Sequence, residues 1–292
     1  MSAFRLIEAE KANHSIPRLC RMLGVSRSGY YAWRRRPPSE RARFDAVLSE
    51  KIETIHRSSR ATYGAPRVHA ELRAIGIRCA RKRVARLMRW AKLRGCLRGR
   101  RIRTTHRIAV QQAAPDLVAR NFSSDMPDRL WVADITYVRC GEGFVYLAFI
   151  LDVCSRRVVG WSMATHLRTE LVVEALQMAI ARRKPAPGLV HHSDRGVQYT
   201  SLSFGKRLED EGLVPSMGRG GSAYDNALAE SFVATLKTEL LYRSSWPTRQ
   251  AARTAIFEYI EGFYNPRRRH SALGYLSPAE FEEVKLGEEH AA

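Results

Sequence analysis

The feature that most constrains the fold is a change of texture near residue 126. From there, RLWVADITYVRC, FVYLAFILDV and SRRVVGWSMAT form three consecutive runs rich in β-branched and aromatic residues, the first two joined through Gly-Glu-Gly. THLRTELVVEALQMAIARR then switches to helical spacing, with Thr169 as the expected N-cap and Pro185, Pro187 and Gly188 as the stop. LVHHS predicts a short buried strand, SLSFGKRLEDEG a helix, VPSM a fifth strand and GRGGS a flexible loop. DNALAESFVATLKTELLY and TRQAARTAIFEYIEGFYN close the pattern as helices. The order β-β-β-α-β-α-β-α is an antiparallel meander feeding a parallel unit. It predicts an α/β domain over 126–292, with a mixed five-stranded sheet and a C-terminal helical extension.

The front of the chain has a different character. In residues 15–34, Leu19, Met22 and Leu23 fall at helical spacing, Gly24 breaks the run and Ser26 can cap a second helix. This is a helix-turn-helix pattern, with Arg27 and Ser28 at the start of its recognition helix and Tyr30, Tyr31 and Trp33 behind the turn. Residues 1–43 are therefore read as one segment and 44–96 as a second helical DNA-binding region. In the latter, Arg81, Lys82, Arg83 and Arg86 oppose an apolar stripe of Val84, Leu87, Met88 and Ala91. Polar, Arg-rich residues 97–125 read as a linker.

Charge follows the same division. Residues 1–120 hold 29 Lys/Arg against 8 Asp/Glu, whereas 121–292 hold 20 against 21. A basic front joined to a near-neutral domain predicts a nucleic-acid partner. The hydrophobic content of 45% excludes a wholly disordered chain. No apolar stretch reaches the roughly 18 residues of a membrane helix, and MSAFRLIEAEKANHS has no secretory pattern, so the expected location is the cytoplasm, beside the nucleoid. Five scattered cysteines without a Cys-x-x-Cys pair indicate neither a zinc finger nor a disulfide framework.

Three acids stand out. Asp134 lies mid-strand among apolar residues, where a carboxylate is costly unless a cation or partner meets it. Asp194 follows the strand LVHHS, at the end where α/β sheets place their sites, and Glu230 lies on the helix beginning near Asp225. Such a set suits a hard divalent cation, and paired cations recur in phosphodiester chemistry. GRGGS lacks the Lys-Ser/Thr of a P-loop. Asp152 reads as a turn residue, Asp225 and Asn226 as N-caps, and Glu239 as pointing away from the site. One of His191 and His192 is expected in the core, Gln198 and Tyr199 are expected to position DNA or pack a loop, and Trp131, Trp161 and Phe144 are read as core.

The segments WVADITYV, HHSDRGVQYTS, AYDNALAESFVATLKTEL and YNPRRRHSALGYLSPAEF, in this order, resemble the downstream-frame (OrfB-type) transposases of a bacterial insertion-sequence family. The 35 residues between Asp194 and Glu230 match that family's D,D(35)E spacing. The resemblance implies a ribonuclease H-like, retroviral-integrase-type core behind an all-α helix-turn-helix region. It also implies Asp134, Asp194 and Glu230 as catalytic ligands of Mg2+ or Mn2+. Lys237, two helical turns beyond Glu230, would help hold the DNA end, and Arg267 and His270 would contact DNA. The expected partners are element ends and target DNA, a second copy of the chain, and an upstream-frame protein joined as a fusion. Two other functions stay open: a sequence-specific DNA-binding regulator or accessory subunit that needs the fused frame for catalysis, and a structure-selective nuclease.

Overall fold

The computed structural model describes residues 2–97, 114–119, 121–218 and 226–291. It divides into two compact units, Met1–Thr54 and Ile55–Ala292. In the first, α1 (Ala3–Glu10), α2 (Ile16–Met22) and α3 (Arg27–Arg35) enclose Ile7, Leu19, Cys20 and Tyr30, with Phe4 stacked on Trp33 at 5.8 Å. Gly24, at φ +67°, supplies the left-handed turn between α2 and α3, and the Ser26 hydroxyl caps α3 by accepting from Gly29 N at 3.0 Å. The helix-turn-helix reading holds, with two changes. Met22 points into solvent, and a helix in residues 3–10 that the sequence pattern did not single out completes the core through Ile7. The expected border at 43/44 falls inside α4 (Glu40–Ser58).

The second unit opens with α5 (Ala65–Ala74) and α6 (Arg81–Trp90), joined through Gly76. Val84, Leu87 and Met88 are buried beneath α6, as its apolar stripe requires. The sheet follows: β1 (Leu130–Cys140), β2 (Gly143–Asp152), β3 (Val158–Ala164), β4 (Val190–Ser193) and β5 (Val214–Met217), in the order β3-β2-β1-β4-β5. β1, β2 and β3 pair antiparallel, and β4 and β5 continue from β1 in parallel. This is the mixed five-stranded sheet expected.

One sheet face, through Trp131, Ala133, Ala148 and Ile150, packs on α7 (Thr169–Arg183) and α8 (Leu202–Asp210). A Cβ at Gly160 would stand 2.2 Å from the Ala175 carbonyl oxygen, so β3 and α7 approach this closely only over glycine. The opposite face carries Phe149, 4.6 Å from Phe232 of α9 (Ala227–Glu239). Beyond it, α10 (Arg249–Tyr259) runs through a π turn at Ile260–Tyr264, and α11 (Pro278–Ala291) ends the chain.

Several expectations are corrected. Thr169 is the first helical residue of α7 rather than its cap; the cap position belongs to Arg168, whose backbone is extended. Phe144 is not core but exposed, and Trp161 is half-buried, its indole N–H donating to Glu261 at 2.8 Å. Of the expected linker, residues 98–113 and Arg120 lie outside the described residues, but part of the remainder is docked. Leu117 N donates to Ser216 Oγ at 3.0 Å, Met217 N donates to Pro115 O at 3.3 Å, and Val118 is buried. β5 is an edge strand, and this segment satisfies backbone and hydroxyl groups along it.

Candidate active site

The parallel pairing of β1 and β4 places Leu130, Trp131 and Val132 opposite Val190, His191 and His192. Continuing that register by two residues brings Asp194, just past the end of β4, level with Asp134. Both carboxylates line one open cleft with Tyr137, Leu167, Gln198 and Tyr199.

The helix above this point is pinned by an unexpected contact. Asn226 precedes α9 but its side chain does not cap it. Its Nδ2 donates instead to Ala133 O at 2.9 Å, fastening the start of α9 one residue from Asp134. Cross-strand partners share a face, so Asp134, opposite Phe149, lies on the face that α9 covers. Glu230 follows one turn into α9, half-buried, with its N–H donating to Asn226 O at 3.0 Å. Residues 219–225, which include Asp225 and all but the first glycine of GRGGS, lie outside the described residues. Among the described residues, no three His, Cys, Asp or Glu side chains form a group that could hold a metal ion. The structure thus brings Asp134 and Asp194 together and puts Glu230 on the neighbouring helix.

The electrostatics of the pair are unfavourable as they stand. Burial, then the charge of Asp194, pushes the Asp134 carboxyl up to about 7, against an opposing hydrogen bond from Ile135 N (2.8 Å) and the cation of Lys237. Burial also raises Asp194, opposed by Gly196 N at 2.9 Å. Two buried carboxylates, one of them raised further by the other's charge, are a donor set that a hard divalent cation would relieve. Tyr199 closes the cleft floor. Its buried hydroxyl has no hydrogen-bond partner among the described residues, and burial together with both carboxylates holds it well above the usual phenol range. Lys237 Nζ lies 5.6 Å from the Tyr137 ring centre.

Other residues separate by position. Asp152 is the expected turn residue: buried, it accepts from Ser155 N at 2.8 Å, Ser155 Oγ at 3.0 Å and Asp128 N at 2.8 Å. Both histidines are core, where one was expected. His191 packs on Tyr199 and Phe204, and His192 Nδ1 is 2.9 Å from Ser216 Oγ. Gln198 packs its loop, donating to Leu167 O at 3.0 Å.

The basic cluster after Asn265-Pro266 is neither a solvated turn nor one outward patch. Arg268 is buried against Glu239 at 2.7 and 2.8 Å, and Arg269 meets Glu71 at 2.8 Å and Glu280 at 3.0 Å. Arg267 is exposed, and the His270 ring stands edge-on to Tyr264 at 5.1 Å. Glu239 points away from the cleft, as expected, and also accepts from Arg67 at 3.3 Å and Tyr259 at 2.9 Å. Sequence reasoning missed Arg67, Glu71 and Tyr63, whose hydroxyl accepts from Arg269 N at 2.7 Å; no local pattern marks residues whose partners lie far along the chain. Arg27 and Ser28 are exposed at the start of α3, as are Arg81 and Lys82 on α6. Arg83 and Arg86 are half-buried, with the Arg86 guanidinium 4.5 Å over the Trp90 ring.

Models of known families match three stretches of the chain. The integrase core domain matches residues 124–223, a second integrase core family matches 211–278, and an HTH-like domain matches 43–101. Sheet, cleft and helical front together define an integrase-core polynucleotidyl transferase. The chain is 44% identical to the uncharacterized 31 kDa protein of insertion element IS600 of Shigella sonnei, over 91% of this chain and 97% of that protein. It is 41% identical to the transposase of insertion sequence element IS629, also from Shigella sonnei, over 96% and 95%. The chain belongs to the family of insertion-sequence transposases. Among solved structures it is similar to the simian T-cell lymphotropic virus intasome, at 16% identity and TM-score 0.46, covering 79% of this chain and 74% of that one. No helix among the described residues is long and apolar enough to cross a membrane.

Proposed function

We propose that this transposase hydrolyses the 3′ ends of its element and joins them to target DNA by direct transesterification, with Asp134, Asp194 and Glu230 as the acid triad. The observation that carries this reading is the level placement of Asp134 and Asp194 in one cleft, beneath the helix bearing Glu230. Mg2+ or Mn2+ held there would activate the attacking oxygen and stabilise the leaving one. The protein's own part is positional. Asn226 fixes α9 on β1, Ile135 N and Gly196 N orient the two aspartates, and Lys237 supplies positive charge for the DNA backbone. Arg27, Ser28, Arg81, Lys82, Arg83 and Arg86 contact DNA from the helical front, and Arg267 and His270 from the turn after α10. Two ends must be held at once, so the working form is an oligomer on DNA, at the nucleoid. An upstream-frame fusion would supply further pairing.

A second reading is a DNA-binding protein that needs the fused frame before it cuts. It rests on the upstream-frame fusion that the family resemblance implies. One experiment separates the two. End-labelled DNA carrying the element's terminal repeat is incubated with the chain and Mg2+ or Mn2+, with Asp134→Ala as control. Nicked and joined products absent from the variant are expected. Joining that survives Asp134→Ala overturns the triad, binding without cutting favours the second reading, and release of cut DNA without joining indicates a nuclease.

A further inference from the structure

β1 and β2 outrun their neighbours. β4 pairs with β1 only as far as Val132, and β3 pairs with β2 only from Tyr146. Tyr137–Val145 is therefore a two-stranded ribbon, an arrangement of low intrinsic stability. This one is braced. Gly141 N donates to Trp246 O at 2.8 Å, and Glu142 accepts from Arg249 N at 2.9 Å. A Cβ on Gly141 would lie 2.6 Å from the Pro247 carbonyl oxygen, so the tip sits directly on that loop. On the braced ribbon Tyr137 is 54% exposed and Phe144 42% exposed, edge to face at 5.6 Å. The two adjoining rings make a small contiguous aromatic patch on the braced ribbon.

We propose that Tyr137 and Phe144, flanked by Lys237, form a stacking platform for an unpaired base of the DNA end beside the reacting phosphate; this rests on the DNA-joining reading above. Three observations select that occupant. Tyr137 lines the same cleft as Asp134 and Asp194, so whatever lies on the ring adjoins the carboxylates. Lys237 Nζ stands over the Tyr137 ring, and Arg139, exposed, is the cross-strand partner of Phe144. Aromatic faces interleaved with cations are how proteins hold single-stranded nucleic acid, the rings taking bases and the cations taking phosphates. An apolar protein partner would have to desolvate both cations without compensation. A base inside a duplex is stacked on both sides, so a ring beside a reacting phosphate within the duplex can receive only a base that has left the stack.

The probe is a duplex oligonucleotide whose terminal base pairs are mismatched, with 2-aminopurine at the unpaired end. It is titrated with the full chain without divalent metal, so that nothing is cut. Wild type is expected to quench the fluorophore. Tyr137→Ala and Phe144→Ala should lose the quenching and bind the frayed duplex ~5–150-fold more weakly, the range that base–aromatic stacking carries, with fully paired duplex bound as before. Tyr137→Trp should retain both signals and guards against a folding defect. Quenching retained in Tyr137→Ala, or equal weakening for frayed and paired DNA, overturns the platform. So does a change of oligomeric state in sedimentation with frayed-end binding unchanged, which would make the ribbon an interface between copies. Asp134→Asn separates this from the catalytic reading. It should keep the quenching, and if it still joins DNA the triad fails while the platform stands.

Discussion

Two arginine-rich stretches look alike in the sequence and have opposite fates. RKRVARLMRW forms α6, and YNPRRRH follows the π turn beyond α10. α6 contains no acid, and its apolar stripe turns Val84, Leu87 and Met88 inward, which leaves Arg81, Lys82 and Arg89 in solvent. In the second stretch Arg268 and Arg269 are buried, each against a carboxylate from another element. Burial works against an ionised Glu239, yet the hydrogen bonds and charge of Arg268 outweigh it and hold the carboxyl below its ordinary value. The lesson is that a run of arginines reports DNA binding only where no distant acid claims it. Glu71 lies on α5 and Glu239 on α9, so the buried pairs also tie the α5–α6 hairpin to the helix carrying Glu230 and Lys237.

The comparison breaks most visibly at Arg268. Arg268→Ala would leave Glu239 buried with much of its compensation gone, and removing one partner of such a pair costs about 3–5 kcal/mol. Denaturant unfolding should show this as a lowered midpoint. A variant as stable as wild type would mean that the ion pair is not what secures α9.

A buried base with no acid sharpens the same point. His191 is as deeply buried as Arg268, but its Nε2 has no hydrogen-bond partner among the described residues. Burial, then the neighbouring His192, lowers its pKa to about 4, from 6.5. The unfolded chain therefore takes up a proton below about pH 6.5 that the folded chain refuses until about 4. Stability contributed by the neutral ring is present above that window and is lost as pH falls through it. The decrease is about 3 kcal/mol at 1.36 kcal/mol per pKa unit. The stability difference between wild type and His191→Gln, measured from pH 7 to 4, should show this fall, because the raised carboxyls of Asp134 and Asp152 move total stability the opposite way in both proteins. An unchanged slope in that variant would assign the acid sensitivity to other groups.

What the sequence could show was whatever has a local period or a local price. Five strands and most helix ends were legible because β-branched runs, Pro185 and Gly188, and the Ser26 cap act within a few residues. Asp134 was legible because a carboxylate in an apolar strand demands a reason, and Asp194 because it closes a strand. Their common level was not, since it needs the β1–β4 register. The role of Asn226 was misread because a helix-start asparagine ordinarily caps, whereas this amide reaches Ala133, 93 residues earlier. The docking of residues 114–118 on β5 and the burial of Arg268 and Arg269 are also long-range pairings. An arginine carries no mark of whether its acid exists. α1 escaped notice because one short helix becomes stable only when Tyr30 and Leu19 cover Ile7.

The smallest effects test the comparison most sharply, because they set the two stretches side by side with folding held constant. Arg81→Ala combined with Lys82→Ala removes two exposed cations from α6, and Arg267→Ala removes the exposed residue beside two buried ones. Each should leave stability within about 0.5 kcal/mol of wild type, as surface changes do. If the α6 residues touch phosphates, the double variant should lower the salt slope of DNA binding by ~0.9 for each phosphate no longer neutralised, about twice the change for Arg267→Ala. A slope unmoved by the α6 pair would make its charge a solvated face. A slope moved by Arg267→Ala alone would place the DNA path over the turn after α10, with α6 away from it. Equal behaviour in both variants would return both stretches to one class, which their burial denies.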